Sequence, residues 1–417
     1  MFSNDNPRLT LTKCQPGLNE YLYSASQYPG ESAQAKLLIN TRRMAFIASH
    51  LNDNDYHAEA EQIARDAVRF TRLHTKPGKY RALPAFTSLA SICSHLGNVE
   101  ESEELYREAI DLEGLEKEID KDLPLIMAKL ASVLLQAARC EDAKNMAFEA
   151  SMMLSQLSEL DEQVVSLNAT TLATAYAEQG RYHDAELVSS STFSQKQPLR
   201  SNPEDLTISF VSRHLDVLEN LAQTYNLSAR HQQAESIYKT VSPVRTQLRG
   251  PTHLQTLQTV ARHMGTLNSQ ARYAEDLDLS LECEQLFHQR KMQSISYDAH
   301  LLAGSIQREI AISYHGLGDP NYAEQFARRA LEPPSGAVGP VHPHTLDCLS
   351  VLVPILCDQG GETLNAAKTK GEELLKGQKL LLEDNNIKTI QAMEILAETY
   401  DRLGDHERAR SLNDQAK

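Results

Sequence analysis

Tryptophan is missing from this chain of 417 residues, and all aromatics together make up only 6% of it. So few large rings suit thin layers of helix on helix better than one thick core. Strand-like alternation of apolar and polar residues is scarce too, which points to an all-α protein. Positive charge is in deficit: 41 Lys and Arg stand against 56 Asp and Glu, a net charge of −15. Such a chain repels phosphate backbones, which argues against nucleic acid as a general partner and fits a basic or extended peptide better. The same acidity also serves a solvated outer face. Paired cysteines are absent, since Cys14, Cys93, Cys140, Cys283, Cys348 and Cys357 lie far apart with no C-x-x-C among them. Reduced thiols of a cytoplasmic protein, with no zinc site, are the expectation. No run approaches the roughly 18 apolar residues of a membrane span, and Met1 to Asn6 lack the basic-then-apolar pattern of a secretory signal. Nor is there a P-loop, a G-x-G-x-x-G, a G-x-S-x-G or an H-E-x-x-H, so neither an enzyme nor a cofactor is implied. His342 and His344 flank Pro343 without a third ligand beside them and are read as turn residues.

What is present is a repeat. Ala48, Ala90, Ala131, Ala173, Ala222, Met264, Ala311 and Ala397 are each followed three positions later by a larger side chain and seven later by a turn residue in the clearest copies. Their spacings are 42, 41, 42, 49, 42 and 47 residues, and the final gap of 86 holds one more unit at Val353. A small residue lets two helices approach, the bulky one fills the space beside it, and Gly ends the first helix in the left-handed conformation. Each unit is therefore a helical hairpin. The pattern is clearest at Ala173 with Tyr176, Gly180, Tyr182 and Ala185, and at Ala397 with Tyr400, Gly404, His406 and Ala409. The copies at Met264 and Val353 are degraded.

This order of small, aromatic, Gly, Ala, aromatic and Ala resembles the tetratricopeptide repeat, over roughly residues 37 to 417 and about nine units. The resemblance implies a right-handed α-solenoid of antiparallel helix hairpins, a tetratricopeptide-like superhelix. The pitch exceeds the usual repeat of about 34 residues. Gly250-Pro251-Thr252-His253 leads to Thr256-Leu257, and Gly339-Pro340-Val341-His342 leads to Thr345-Leu346, with a fainter copy at Thr389. This G-P-x-H-x-x-T-L turn is similar to the long repeats of kinesin light chains, although residues 1–36 show no heptads of a full light chain. Gly-Pro stops a helix, and Thr is the expected start of the next.

Residues 1–36, with several Pro and Gly, read as an irregular arm before a continuous array over 37–417. Looser, proline-bearing stretches at 194–205 and 332–343 read as long turns, the first a candidate hinge. The polar segment after His406 has the character of a terminal repeat.

Function in such arrays follows from shape, because the first helices of stacked hairpins line a concave face. Positions three before, one after and four after the anchor point into it by helical spacing. They include Glu219, Gln223, Asn226, Asn268, Arg308 and His315. Asn and Gln carry both donor and acceptor and can hold the backbone of an extended peptide. In light-chain-type repeats groove Asn residues do this, and Asn226 and Asn268 match that placement. Arg308 and His315, seven apart on one helix, suit an acidic residue of the ligand. The clamp for chaperone C-terminal carboxylates is not matched, since Ser91, Ser132 and Thr174 stand at its places. The expectation is a non-enzymatic adaptor or scaffold that binds a protein or peptide in the groove. The alternative is a sensor: a peptide receptor, or an array partnered with a nucleotide-binding switch.

Overall fold

The protein, a computed structural model, is described over residues 31–52, 57–74, 83–113, 122–157, 162–195, 208–290, 297–332, 339–382, 384 and 386–416. Among these residues are 18 α-helices and no strand. They are α1 (Glu31–Asn52), α2 (His57–His74), α3 (Leu83–His95), α4 (Val99–Glu113), α5 (Leu123–Gln136) and α6 (Cys140–Leu154). Next come α7 (Glu162–Glu178), α8 (Tyr182–Gln195), α9 (Ile208–Leu227), α10 (His231–Arg249), α11 (Leu254–Ser269) and α12 (Tyr273–Gln289). The last six are α13 (Tyr297–Gly316), α14 (Pro320–Leu331), α15 (Pro343–Gln359), α16 (Thr363–Leu381), α17 (Ile387–Arg402) and α18 (His406–Gln415).

Two compact units divide the chain within α5: one takes the described residues up to Val133, the other those from Leu134 onward. In the first unit α1 packs on α2 and α3, and α3 on α4. In the second each helix packs on its sequence neighbour, and the first helices of successive hairpins, α7, α9, α11, α13, α15 and α17, also lie side by side. This is the nearest-neighbour packing of an all-α solenoid. Of the arm at 1–36, residues 1–30 lie outside the described residues, and Glu31 already opens α1. The candidate hinge from 196 onward and residues 333–338 of the second long turn lie outside them as well.

All nine anchors are buried, none more than 1% exposed, including Met264 and Val353 of the two degraded copies. Twelve residues after the anchor the second helix carries another small side chain, Ala60, Ala143, Ala185, Ala234, Ala323 and Ala409, or Ser102, all buried. Small residues on both sides let the two backbones approach, and larger neighbours such as Tyr238 and Ile310 fill the flanks. In α11–α12 the twelfth residue is Asp276, also fully buried.

Seven residues past the anchor, the described turns share one backbone form, except at Gly360. At Gly180 the φ is 75°, and Ala138, Ala229 and Ala271 hold φ of 58°, 59° and 56° at the same place. At Ala229 its amide donates to Asn226 O at 3.1 Å and the Arg230 amide to Tyr225 O at 2.8 Å. These are the two bonds of a Schellman cap. The hairpin imposes the left-handed state on alanine because only that state delivers both bonds.

Inter-repeat turns differ from expectation in one respect. The helix start is not Thr256, Thr345 or Thr389 but the residue three before each. His253 Nδ1 accepts from Gln255 N at 3.2 Å, His342 Nδ1 from His344 N at 3.1 Å, and Asn386 Oδ1 from Lys388 N at 2.9 Å. Imidazole Nδ1 is as many bonds from Cα as the amide Oδ1 of Asn, so on extended backbone it reaches the same amide. His342 Nε2 meets Tyr297 Oη at 2.6 Å, which locks the ring, and Thr256 and Thr389 are buried instead.

Alanine in the left-handed region costs about 1–2 kcal/mol, while glycine adds about 0.5–1 kcal/mol of chain entropy. The combined variant A138G/A229G/A271G is therefore expected to equal or exceed the wild type in stability, by up to about 1 kcal/mol per site. Urea denaturation checks this; a fall of the midpoint at each site contradicts the strain.

Candidate functional site

All six residues named from the sequence lie on first helices of the second unit, Glu219, Gln223 and Asn226 on α9, Asn268 on α11, and Arg308 and His315 on α13. Glu219 of α9 is buried, and its Oε1 accepts from Arg245 Nε at 2.8 Å and from Thr259 Oγ1 at 2.6 Å, while Oε2 takes Arg262 Nη1 at 3.2 Å. Arg245 is only 1% exposed and also binds Asp216, so a guanidinium from second helix α10 ties α10 to α9, while Glu219 itself ties α9 to α11. Gln223 is half-buried and has no hydrogen-bond partner among the described residues. Asn226 Oδ1 lies 2.7 Å from His231 Nδ1, which leaves its amide nitrogen open. Asn268 of α11 is buried; its Nδ2 donates to Glu309 Oε2 at 2.9 Å and Glu309 O at 3.3 Å, and Ser313 Oγ lies 3.0 Å from its Oδ1.

Arg308 and His315, both of α13, already face carboxylates of the chain itself. Arg308 Nη2 binds Glu309 Oε1 at 2.6 Å and its Nη1 lies 3.9 Å from Asp347 Oδ2. His315 Nε2 meets Asp358 Oδ2 at 2.7 Å, and Asp358 also takes Arg402 at 2.7 Å. Burial alone would raise the Asp358 carboxyl, but hydrogen bonds from His315 and Arg402 outweigh it and hold it below its ordinary range. Of the six, the structure joins Asn268 and Arg308 through Glu309. Glu219, Gln223 and Asn226 share one face of α9, and His315 stands apart on the Asp358 side. On α17, Glu394 is exposed and has no charged partner among the described residues.

One contact spans far more chain than these. Lys388 Nζ at the start of α17 donates to Glu178 Oε2 at the end of α7 at 3.1 Å, and Asn386 Nδ2 donates to Glu178 O at 3.2 Å. Asp347 Oδ1 lies 3.8 Å from the same ammonium. Burial alone would lower the Lys388 pKa; Asp347 and Glu178 outweigh it and hold the ammonium charged. The second unit is thus clasped across more than 200 residues of sequence. Lys388, Glu178 and Arg245 escaped the anchor-based reading because they sit at helix ends or on a second helix.

Sequence models of the tetratricopeptide repeat match residues 83–114, which are the α3–α4 hairpin, and 390–412, in α17 and α18. The chain thus carries tetratricopeptide repeats. No curated protein sequence matches it. Among solved structures, the apo form of the quorum sensor NprR from B. thuringiensis is similar with a TM-score of 0.55 at 12% identity, 98% of each chain being covered. NprR in complex with its cognate peptide NprX follows at 0.52 and 11%, covering 81% of this chain and 89% of that one. The nearly identical TPR-like repeats of a candidate kinesin light chain from Podosopora anserina give 0.41 and 17%, over 50% and 95%. The NprR likenesses are likenesses of fold. No helix among the described residues is long and apolar enough to cross a membrane.

Removing the guanidinium strands two carboxylates, so Arg245→Ala is expected to cost about 3–5 kcal/mol, and pairing Arg245→Met with Glu219→Gln to recover much of it, as measured by urea denaturation. A loss below about 1 kcal/mol, the scale of an exposed pair, counts against that reading. The clasp is half-exposed and worth about 1 kcal/mol. Lys388→Glu should enlarge the radius of gyration in solution scattering, and the swap E178K/K388E should restore it; equal radii in all three proteins dismiss the clasp.

Proposed function

We propose that the chain is a non-enzymatic protein-interaction module that holds an extended, basic peptide segment of a partner along the first-helix face of the second unit. The observation that carries this is the pattern of satisfaction on that face. Its cations are matched from within, Arg308 by Glu309 and Asp347, His315 and Arg402 by Asp358. What stays open is Gln223, the amide nitrogen of Asn226 and the carboxylate of Glu394. Carboxamides take a peptide backbone whatever its sequence, and an unmatched carboxylate takes a basic side chain. The net charge of −15 draws such a ligand in. At the level of fold alone, NprR with its cognate peptide offers the analogy of a short peptide held in a similar array.

A sensor reading has one observation of its own in its favour, the clasp between α7 and α17. A ligand on the intervening first helices would bias a closure that weak against thermal opening.

Screening a displayed peptide library against the full chain tests the proposal. Lysine- or arginine-bearing sequences are expected to dominate, and the triple variant Q223A/N226A/E394A to weaken the best binder at least tenfold, since each lost hydrogen bond is worth about 1 kcal/mol. Unchanged affinity removes this face from the site, and selection of acidic peptides reverses its polarity.

A further inference from the structure

Where six hairpins bury alanine at the twelfth residue, α11–α12 buries a carboxyl group, that of Asp276. A charge sealed at such a point is strongly disfavoured unless it is fully paired. Around it the hydrogens can be counted one by one. Asn268 Nδ2 faces Glu309 O and Glu309 Oε2. The backbone carbonyl is an acceptor only, and Arg308 donates to the carboxylate of Glu309. The carboxamide therefore cannot be turned round, and its Oδ1 points at Ser313 Oγ. That buried oxygen needs a donor, and Ser313 has one hydrogen to give. Yet Ser313 Oγ also lies 2.5 Å from Asp276 Oδ2. Two oxygens at that separation share a proton, and with the serine hydrogen committed it comes from the acid. Ser280 Oγ approaches the same Oδ2 at 3.2 Å, while Asp276 Oδ1 is buried without a partner, which suits the carbonyl end of a neutral acid and not a carboxylate.

We infer that Asp276 is a neutral acid donating to Ser313, which donates to Asn268, which donates to Glu309, and that its ionisation is a proton-controlled switch for the Asn268 and Arg308 part of the groove. This rests on the proposed reading of that face only for its consequence to a ligand. Ionisation turns the Ser313 hydrogen toward Asp276, leaves Asn268 Oδ1 without a donor and so loosens the hold on Glu309 and Arg308. The groups facing Asp276 are few. From α13 come Glu309, with Arg308 behind it, and Ser313; α11 contributes the uncharged Asn268; on α12 itself stand Ser280 and the Cys283 thiol, which feels the charge of Asp276. Burial first, then the charge of Glu309, push the Asp276 carboxyl up to about 7, against the hydrogen-bonding groups of Ser313, Ser280 and Asn268.

The sign follows from linkage. An unfolded aspartic acid releases its proton near pH 3.9, whereas the folded one keeps it to about 7. The folded state thus binds more protons between these values, and stability falls as pH rises through that window and levels above it. The variant D276N retains a donor to Ser313 and cannot titrate. Relative to D276N, the folding equilibrium constant of the wild type is expected to drop by up to about tenfold per pH unit from about pH 4 to about pH 7. An infrared carbonyl band of a protonated carboxyl group, present near pH 6 in the wild type and missing in D276N, should fade over the upper end of that window. The side-chain amide resonance of Asn268 should shift with the same midpoint in the wild type alone. Parallel stability profiles with no such band overturn the neutral acid; a band that titrates while the Asn268 resonance stays fixed overturns the switch. Should D276N fail to fold, D276A and the infrared titration of the wild type decide. None of these readouts needs a ligand, so they stand or fall apart from the peptide screen.

Discussion

Close approach of two helices at a small buried residue is the constraint from which the rest of the molecule follows. Backbones meet only where a side chain is nearly missing, so each hairpin needs one small group on each helix at matching height. Ala173 meets Ala185, Ala222 meets Ala234, and Ala311 meets Ala323, all of them sealed from solvent. Once that height is set, so is the turn. Seven residues run from the anchor to the reversal, and only a left-handed residue there lets its own amide and the next close back on the helix end. Alanine at three of these turns shows that the hairpin geometry outweighs the local preference of the residue.

The same code frees the faces away from the seam. Positions of the first helices away from the seam need not be apolar, and those helices carry Gln223, Asn226, Asn268, Arg308 and Glu394. What that face can hold depends on how much of its polarity is already engaged from within. Glu219 and Asn268 serve as internal ties, while Gln223 and part of Asn226 remain open. A groove of this kind selects less by the residues it contains than by those its own chain leaves unmatched.

Much of the fold was legible in the sequence because its code is local and repeated. Anchors, turn positions and the pairing of helices are fixed within one hairpin, and nine copies make a weak signal plain. Helix starts were misread for a chemical reason, since His253 and His342 cap with a ring nitrogen where Thr was expected to serve. Less of the candidate site was legible. The spacing placed Asn268 and Arg308 on successive first helices, but not that Glu309 lies between them, a residue at the position beside Arg308 and across from Asn268. The contact of Lys388 with Glu178 depends on small rotations accumulated from hairpin to hairpin, which no single repeat encodes. Asp276 was visible as a departure from alanine, although its chemistry emerges only from Ser313 and Asn268 brought in by other helices.

Departures of this kind answer a difficulty that the repeat itself creates. Hairpins sharing one packing code can stack on any neighbour, and nothing apolar in the seam distinguishes the right one from the next. A polar tie made once does distinguish it. With any other hairpin beside α9, Glu219 would be buried without Thr259 and Arg262, and with any other after α12, Asp276 would lose Ser313. Stranding a buried charge or polar group costs more than the correct pair returns, so these ties act mainly by penalising wrong neighbours and little by strengthening the right ones. Cys357 against Thr399, joining α15 to α17 at 3.0 Å, is a milder tie of the same sort. The order of hairpins thereby becomes a property of side chains, while their shape remains a property of the repeat. Because Asn268 and Glu219 make these ties on the first helices, the order of stacking and the polarity of those helices are set by the same hydrogen bonds.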